Sequence, residues 1–337
     1  MLVLVPLFVV MAFGLPLVIP VPYFIHILTL CAMYTSFALS YDLSAGRLGI
    51  VSLAHPTFFG VGAYTAAILS TKYGFAMWAD VILGMLVALT LAILVKGPAF
   101  RLRDFSFAIA TLGLALSAQL VATNWVNLTE GPMCIIGIPQ PFGGVGQAEL
   151  SYSISRIGFY YVFVLLSLIV IGFYVLATTG RIGRTLTAVN NDEVLASTVG
   201  IDTLRYMKFS FLAGATIAAA VGGLWAHYIS VVCPDSLSIV YTSTLLMMVF
   251  VGGAGNLWGV IAGAITITVI PELLRLAPSV RMILFGMVLI VMIVIAPRGL
   301  AGVFSRTSKR ESLRGARYSG GDDTRDGMDE DSTDASA

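Results

Sequence analysis

The sequence predicts an all-α, polytopic membrane protein with about eight to ten transmembrane helices. Hydrophobic residues make up 58% of the 337 residues and charged residues only 11%, and the mean hydropathy is +0.93. Soluble domains carry about 25% charged residues. Most of the charged residues also gather in a few clusters between apolar runs. The composition therefore excludes an ordinary soluble globule.

Ten apolar runs are candidate spans, since a helix that crosses a bilayer needs about 20 mostly apolar residues. The first run lacks a basic leader, so we interpret it as a span and not as a signal peptide. Two late runs are short, and they predict either one broken helix or a re-entrant element. The ten runs cover residues 2–19, 22–41, 50–70, 76–95, 105–124, 157–178, 206–230, 237–251, 256–271 and 282–297.

The distribution of Lys and Arg predicts the orientation, because these residues are enriched in short cytoplasmic segments. With the N-terminus inside and ten alternating spans, the outside segments hold only Lys72, Arg156, Arg275 and Arg281. This predicts a multi-pass protein of the cell (inner or plasma) membrane with both termini in the cytoplasm. The inside segments hold Arg47, Lys96, Arg101, Arg103, Arg181, Arg184, Arg205, Lys208, Arg298 and the basic start of the tail.

Two domains follow from this pattern. Residues 1–304 form the transmembrane domain, and residues 305–337 form a charged cytoplasmic tail. The tail is first basic and then acidic, without an apolar period, so we expect it to be disordered.

The polar segment 180–205 interrupts the apolar chain on the predicted cytoplasmic side. Residues 185–188 and 194–199 each predict a short amphipathic helix, with Gly200 as a stop. A short helix pair that is rich in Arg suits a docking surface for another protein. The alternative is a solvated linker between two spans.

The second long loop, residues 125–156, is predicted to lie outside. It is rich in Gly and Pro and has no helical period, so we expect either a cap over a pore mouth or a docking surface. Cys134 lies in this loop and Cys233 in another outside loop, which leaves a pairing between them open. Cys31 lies in an apolar run and is expected to be a small hydrophobic residue.

Small residues recur every four positions in two late apolar runs, a spacing that lets helix backbones approach closely in a membrane. We interpret both sets as packing faces and not as ligand sites. They are Gly214, Ala218 and Gly222 in one run, and Gly255, Gly259 and Gly263 in the other.

Motifs for catalysis and for binding of phosphate or metal are missing from the sequence. It contains no GxxxxGK[ST], HExxH or GxSxG pattern and no paired Cys motif, so neither an enzyme nor a metal site is predicted. Asp42, Asp80 and Glu272 lie near span ends, where water and headgroups are expected to solvate them. His227 is expected to be an interfacial residue.

The stretch 52–64 is a candidate for a substrate pathway, because polar residues and glycine enter an apolar run there. The candidate lining residues are Ser52, His55, Gly60 and Tyr64. The alternative is a kinked helix with a hydrogen-bonded histidine at His55-Pro56.

Four stretches of the chain, in the same order, resemble the permease subunits of branched-chain amino acid ABC transporters. The similarity is closer to the M-type permease of that family, whose partner is a second, H-type permease. The stretches are SLAHPTFFGVGAYTAAIL (52–69), GRIGRTLTAVNNDEVLASTVGID (180–202), WAHYISVVCPDSLS (225–238) and VFVGGAGNLWGVIAGA (249–264).

The resemblance implies a non-catalytic transport subunit in the membrane. It would form the pathway with a second permease and would receive an amino acid from an extracytoplasmic binding protein. Its surroundings would be the lipid bilayer, and no nucleic acid would be a partner. Two ABC ATPase subunits would bind the ATP and Mg²⁺, and this chain would bind no cofactor itself. Segment 180–205 would be the coupling loop to the ATPases, and its matching positions are Arg181, Gly183, Arg184, Leu195, Ala196 and Gly200.

A self-sufficient secondary carrier or channel for small polar solutes is the alternative function. It would need an ion or proton site within the membrane, and Asp42 and Glu272 are the best candidates in the sequence.

Overall fold

The computed structural model describes residues 22–100, 102, 104–141 and 148–273. Two two-residue strands, β1 (Ile135–Ile136) and β2 (Val231–Val232), and two 3-10 turns, Gly131–Met133 and Pro234–Leu237, accompany the helices. The helices of this part of the chain are α1 (Pro22–Leu48), α2 (His55–Tyr73), α3 (Met77–Ala99), α4 (Asp104–Asn124), α5 (Val126–Thr129), α6 (Ala148–Thr178), α7 (Gly180–Asn191), α8 (Glu193–Thr198), α9 (Thr203–Ile229), α10 (Ile239–Gly252) and α11 (Leu257–Leu273).

The all-α membrane fold is confirmed. By length and composition, five of the described helices can cross a membrane, namely α1, α3, α4, α6 and α9. Helix α1 has 27 residues and is about 40 Å long, which exceeds the hydrocarbon core of about 30 Å. The predicted spans 2–19 and 282–297 and the tail 305–337 lie outside the described residues.

Helices α2, α3 and α9 form a closely packed centre, because glycines remove side chains where the backbones meet. A Cβ at Gly62 of α2 would overlap the backbone of Ala219 of α9, and a Cβ at Gly222 would overlap the backbone of Phe59. Gly84 brings α3 to the same place, since a Cβ there would lie 3.1 Å from the Gly62 carbonyl oxygen. Close backbone approach of this kind drives helix association in membranes.

The three small residues singled out on α9 contact different neighbours. Gly214 faces α1, and a Cβ there would lie 2.6 Å from the carbonyl oxygen of Ser40. Ala218 is fully buried, and Gly222 lies against α2. Helix α9 therefore packs on two helices along one stripe.

Helices α10 and α11 fold back on each other as an antiparallel hairpin. A Cβ at Gly252 would overlap the backbone of Gly259, and a Cβ at Gly263 would overlap the backbone of Met248. Because these contacts run in opposite order along the two helices, the two short runs form a hairpin, which excludes one broken helix from the two alternatives. Gly255 lies in the turn between them, with φ +76°, and not on a helical packing face.

The predicted outside loop is more ordered than its composition suggested. Strand β1 pairs antiparallel with β2, with Ile135 opposite Val232. The strands bring Cys134 and Cys233 together in a disulfide with a Cα–Cα distance of 4.4 Å, which answers the pairing that the sequence left open. The loop is also shorter than expected, because α6 already begins at Ala148. We call this side of the molecule the disulfide end.

Candidate functional site

The segment 180–205 folds into two short helices that are anchored to the end of the bundle opposite the disulfide. Helix α7 buries Leu186 and Val189 against Leu48 at the end of α1 and Met207 at the start of α9. The other side chains of α7 are mostly polar. The two amphipathic helices expected from the sequence are therefore present, and α7 is longer than expected.

Local signals set the bounds of these helices. A Cβ at Gly183 would overlap the backbone of Thr178, so glycine allows the tight turn from α6 into α7. The Asp192 carboxylate accepts a hydrogen bond of 2.9 Å from the Leu195 N–H and caps α8. Gly200 follows α8 with φ +84°, a conformation that favours glycine. The Asp192 cap was not predicted, although an Asp before a helical run is an ordinary N-cap signal.

Helix α7 carries exposed arginines, and α8 with the residue that follows it carries exposed aliphatic side chains. Val194, Leu195 and Val199 are 66%, 64% and 73% exposed, and Arg181 and Arg184 are exposed on α7. We call these five residues the docking surface. Exposed large aliphatic side chains are suited to contact with lipid or with another protein.

The six residues singled out in this segment divide into two groups. Arg181, Arg184 and Leu195 belong to the docking surface, and Gly200 is exposed beside it. Gly183 and Ala196 are buried beneath it. The six residues therefore differ in exposure: four of them are exposed, and Gly183 and Ala196 are buried.

The four residues singled out for a pathway lie inside the bundle, along the first half of α2 and just before it. The Ser52 and Tyr64 hydroxyls are buried, and neither has a hydrogen-bond partner within the described ranges. Gly60 faces the 3-10 turn after β2, where a Cβ would overlap the Leu237 side chain. Buried hydroxyls without partners are sites where water or a polar ligand can bind.

His55 begins α2, so the expected kink is wrong. Pro56 occupies the first turn, where its missing N–H costs nothing. The His55 Nε2 lies 2.8 Å from the Ser40 hydroxyl, and the ring stacks on Phe37 at 5.7 Å. The expected hydrogen-bonded histidine is therefore present, at a helix start.

An acidic group beside Tyr64 was missed in the sequence. The exposed Asp235 carboxylate, in the 3-10 turn that packs on α2, interacts electrostatically with the Tyr64 and Tyr241 hydroxyls. Tyr64 is the central residue of α2, so Asp235 lies near the middle of that helix. The signal in the sequence that could have identified Asp235 is its charge between two apolar runs.

The expectation that water solvates the acids near span ends is wrong for Asp42 and Asp80, which are both fully buried. Glu272 is 9% exposed. Neighbouring helices surround these groups, and hydropathy alone does not reveal that enclosure. Within the described residues, no group of three or more His, Cys, Asp or Glu side chains is arranged to hold a metal ion.

His227 is also buried, and the expectation of an interfacial residue is wrong. Its Nδ1 lies 2.9 Å from the Pro139 carbonyl oxygen, and its Nε2 lies 3.5 Å from the Asp80 carboxylate. The loop that carries Pro139 folds over the end of α9 and removes the ring from water. His227 therefore joins α9 to α3 and to this loop.

Comparison with known proteins shows a single relationship over most of the chain. The family model described as "Branched-chain amino acid transport system / permease component" matches residues 23–296. The high-affinity branched-chain amino acid transport system permease protein LivM of Escherichia coli (strain K12) is 30% identical over 295 residues, which cover 82% of this chain and 69% of that protein.

More distant relatives carry a second permease name. The high-affinity branched-chain amino acid transport system permease protein LivH of Salmonella typhimurium is 24% identical over 288 residues, or 81% of this chain and 92% of that protein. A probable branched-chain amino acid transport permease protein LivH of Methanocaldococcus jannaschii is 26% identical over 294 residues, or 81% of this chain and 90% of that protein. No solved structure matches the chain significantly.

Proposed function

Because this chain belongs to the family of branched-chain amino acid transport system permease components, we propose that it forms the translocation pathway of an ABC importer for branched-chain or related small amino acids. The docking surface is the observation that carries this proposal. An importer whose energy comes from separate ATPase subunits needs a rigid surface through which they can move the helices. Helices α7 and α8 supply an exposed aliphatic and basic surface on a buried apolar anchor.

We propose that the partners are a second permease, two ABC ATPase subunits and an extracytoplasmic amino-acid binding protein. Relatives named LivM and LivH both match this chain over about four-fifths of its length, which supports a pair of different permeases. ATP and Mg²⁺ would be bound by the ATPases, and this chain would bind no cofactor.

The α7–α8 end is proposed to face the cytoplasm, with both termini on that side. Arg181, Arg184 and Arg205 lie at this end, in agreement with the enrichment of basic residues in cytoplasmic segments. The disulfide lies at the opposite end, where an oxidising compartment would maintain it. The binding protein would then deliver the amino acid to the disulfide end.

The pathway is proposed to pass beside the first half of α2. The unpartnered Ser52 and Tyr64 hydroxyls offer hydrogen bonds there, and the Asp235 carboxylate offers a negative charge to an α-ammonium group. The second permease would close the exposed side of Asp235. Small polar groups beside one acid suit a small zwitterion.

The experiment that tests this proposal is charge reversal at the docking surface. Arg181→Glu with Arg184→Glu is expected to reduce ATP-dependent uptake of labelled leucine about tenfold or more, as expected for loss of a coupling contact, and to leave the amount of permease in the membrane unchanged. Lys96→Glu, in the last turn of α3, is the control for a charge reversal at the same end. The assignment of this segment as the coupling loop would be contradicted if the double variant co-purified normally with the ATPases and supported normal uptake.

A self-sufficient carrier is the second candidate function, because Asp80 is a buried carboxylate beside a histidine. Proton-driven carriers need such a group within the membrane. Leucine uptake into liposomes that contain only this chain, driven by a proton gradient and abolished by Asp80→Asn, would favour the carrier. Uptake that requires the ATPases and ATP would exclude it.

A further inference from the structure

A continuous chain of hydrogen bonds joins the end of α1 to the turn between α10 and α11. The Arg47 Nε donates to the Tyr174 hydroxyl at 2.9 Å, and that hydroxyl donates to Asp42 Oδ2 at 2.5 Å. The other carboxylate oxygen, Oδ1, accepts from the Gly255 N–H at 2.9 Å. We call these four residues the Asp42 network. It links three separate parts of the fold, namely α1, α6 and the hairpin turn.

The backbone around the Asp42 carboxylate has room for this contact only because of two glycines. A Cβ at Gly46, one helical turn further along α1, would overlap the carboxylate. Gly255 has φ +76°, and a Cβ there would lie 2.9 Å from the Gly46 carbonyl oxygen. Gly46 must be glycine because there is no room for a Cβ. Gly255 must be glycine for the same reason and because its positive φ disfavours other residues.

The network also balances charge in a buried place. Asp42 and Tyr174 are fully buried, and the half-buried Arg47 supplies the opposite charge. The Arg47 guanidinium carbon also lies 5.3 Å from the centre of the Tyr174 ring. A buried carboxylate is costly unless it is paired and hydrogen-bonded. The network therefore favours one relative position of α1, α6 and the hairpin, and a change in that position changes its energy.

One end of the network adjoins the anchor of the docking surface. Arg47 precedes Leu48, which packs against Leu186 and Val189 of α7. Tyr174 lies one turn before the end of α6, and α7 follows directly after that end. A movement of α7 therefore acts on both Arg47 and Tyr174.

The other end of the network holds the hairpin that borders the proposed pathway. The Thr242 hydroxyl of α10 donates to the Leu53 carbonyl oxygen at 3.2 Å, next to Ser52. The Tyr241 ring stacks on Phe59 of α2 at 6.1 Å. A shift of the hairpin turn at Gly255 would therefore move the groups beside the first half of α2.

We propose that the Asp42 network passes movement of α7 and α8 to the α10–α11 hairpin, so that Asp42 and Tyr174 are positioning residues for coupled transport. The inference rests on the proposed function, since it assumes that ATPase subunits move α7 and α8. Displacement of α7 pulls Arg47 and Tyr174 relative to Asp42, and Asp42 carries that displacement to the turn through the Gly255 N–H.

The test uses the complete transporter in proteoliposomes, with its binding protein and ATPases, and labelled leucine as the probe. The variants are Asp42→Asn and Tyr174→Phe, and Tyr174→Phe removes only the hydroxyl. Ser210→Ala is the matched control, because the buried Ser210 hydroxyl donates to the Leu43 carbonyl oxygen of α1 at 2.5 Å and lies outside the network. Leucine transported per ATP hydrolysed is the measurement, since loss of folded protein lowers both rates and leaves their ratio unchanged.

Each network variant is expected to lower leucine transported per ATP about tenfold, the range of a typical coupling free energy. ATP hydrolysis should stay within about twofold, since the docking surface is intact, and Ser210→Ala should keep the wild-type ratio. The double variant should lose no more than the worse single variant, because residues that act in one chain are not additive.

A wild-type ratio in Tyr174→Phe, or losses that add in the double variant, would overturn the inference. If Asp42→Asn does not accumulate in membranes, Tyr174→Phe decides alone, because it keeps the ring and its packing. If the wild-type complex shows no ATP-dependent leucine uptake, the proposed function is refuted. This result is obtained before any variant is compared, so the two failures can be distinguished.

Discussion

Replacing Gly222 by alanine tests the close approach of α9 and α2 at the centre of the bundle. The added Cβ would overlap the Phe59 carbonyl group, and backbone atoms cannot rotate away as the end of a side chain can. Overpacking of a well-packed interior costs about 1–3 kcal/mol. Alanine regains about 0.5–1 kcal/mol through its better helix propensity. We therefore expect a net loss of stability of about 1 kcal/mol, with an upper end of about 2.5 kcal/mol.

The matched control is Gly172→Ala. Gly172 is an exposed helical glycine of α6, and no atom of the described chain lies within 4 Å of the position of its Cβ. This variant gains the helix propensity and meets no neighbour, so its stability should equal or exceed that of the wild type.

Thermal unfolding of the purified chain in detergent measures both variants under identical conditions. At about 2–4 °C per kcal/mol, the unfolding midpoint of Gly222→Ala should fall by several degrees, and that of Gly172→Ala should not fall. Equal midpoints for the two variants would refute the reasoning. They would show that α9 and α2 lie far enough apart to accept the methyl group of alanine without overlap.

Two further predictions concern the disulfide end. Replacing Cys134 and Cys233 by serine opens a link between positions 99 residues apart and should destabilise the chain by about 2–4 kcal/mol; limited proteolysis should then cut the β1 region faster, and an unchanged cleavage rate would contradict this. His227→Ala removes the imidazole that lies 3.5 Å from the buried Asp80 carboxylate and should cost about 1–3 kcal/mol. Adding Asp80→Ala should restore part of that loss in unfolding measurements, whereas additive losses would show that the two residues do not interact.

Much of the candidate site could be predicted from the sequence. The interruption at 180–205 was recognisable because polar residues stand out in an apolar chain, and the amphipathic spacing of Leu186 and Val189 is a local property. The capping residue Asp192 and the acid Asp235 were present in the sequence but were missed. The cap has a local signal, whereas the importance of Asp235 depends on the neighbouring Tyr64.

The sequence by itself determined the class of protein and most of its helices. Composition excluded a soluble globule, and runs of about 20 apolar residues located the long helices, because a bilayer imposes both requirements on the local chain. Four short stretches also identified the family, which the comparisons confirmed.

Only the tertiary structure decided which distant residues meet. The Asp42 carboxylate binds the backbone of Gly255, 213 residues away, and Cys134 joins Cys233 across 99 residues. Apolar periodicity reports which face of a helix is buried but not which helix covers it. For the same reason, the local sequence does not tell whether a charged residue near a span end is solvated or buried. Asp42 and Asp80 are buried because other helices pack against them.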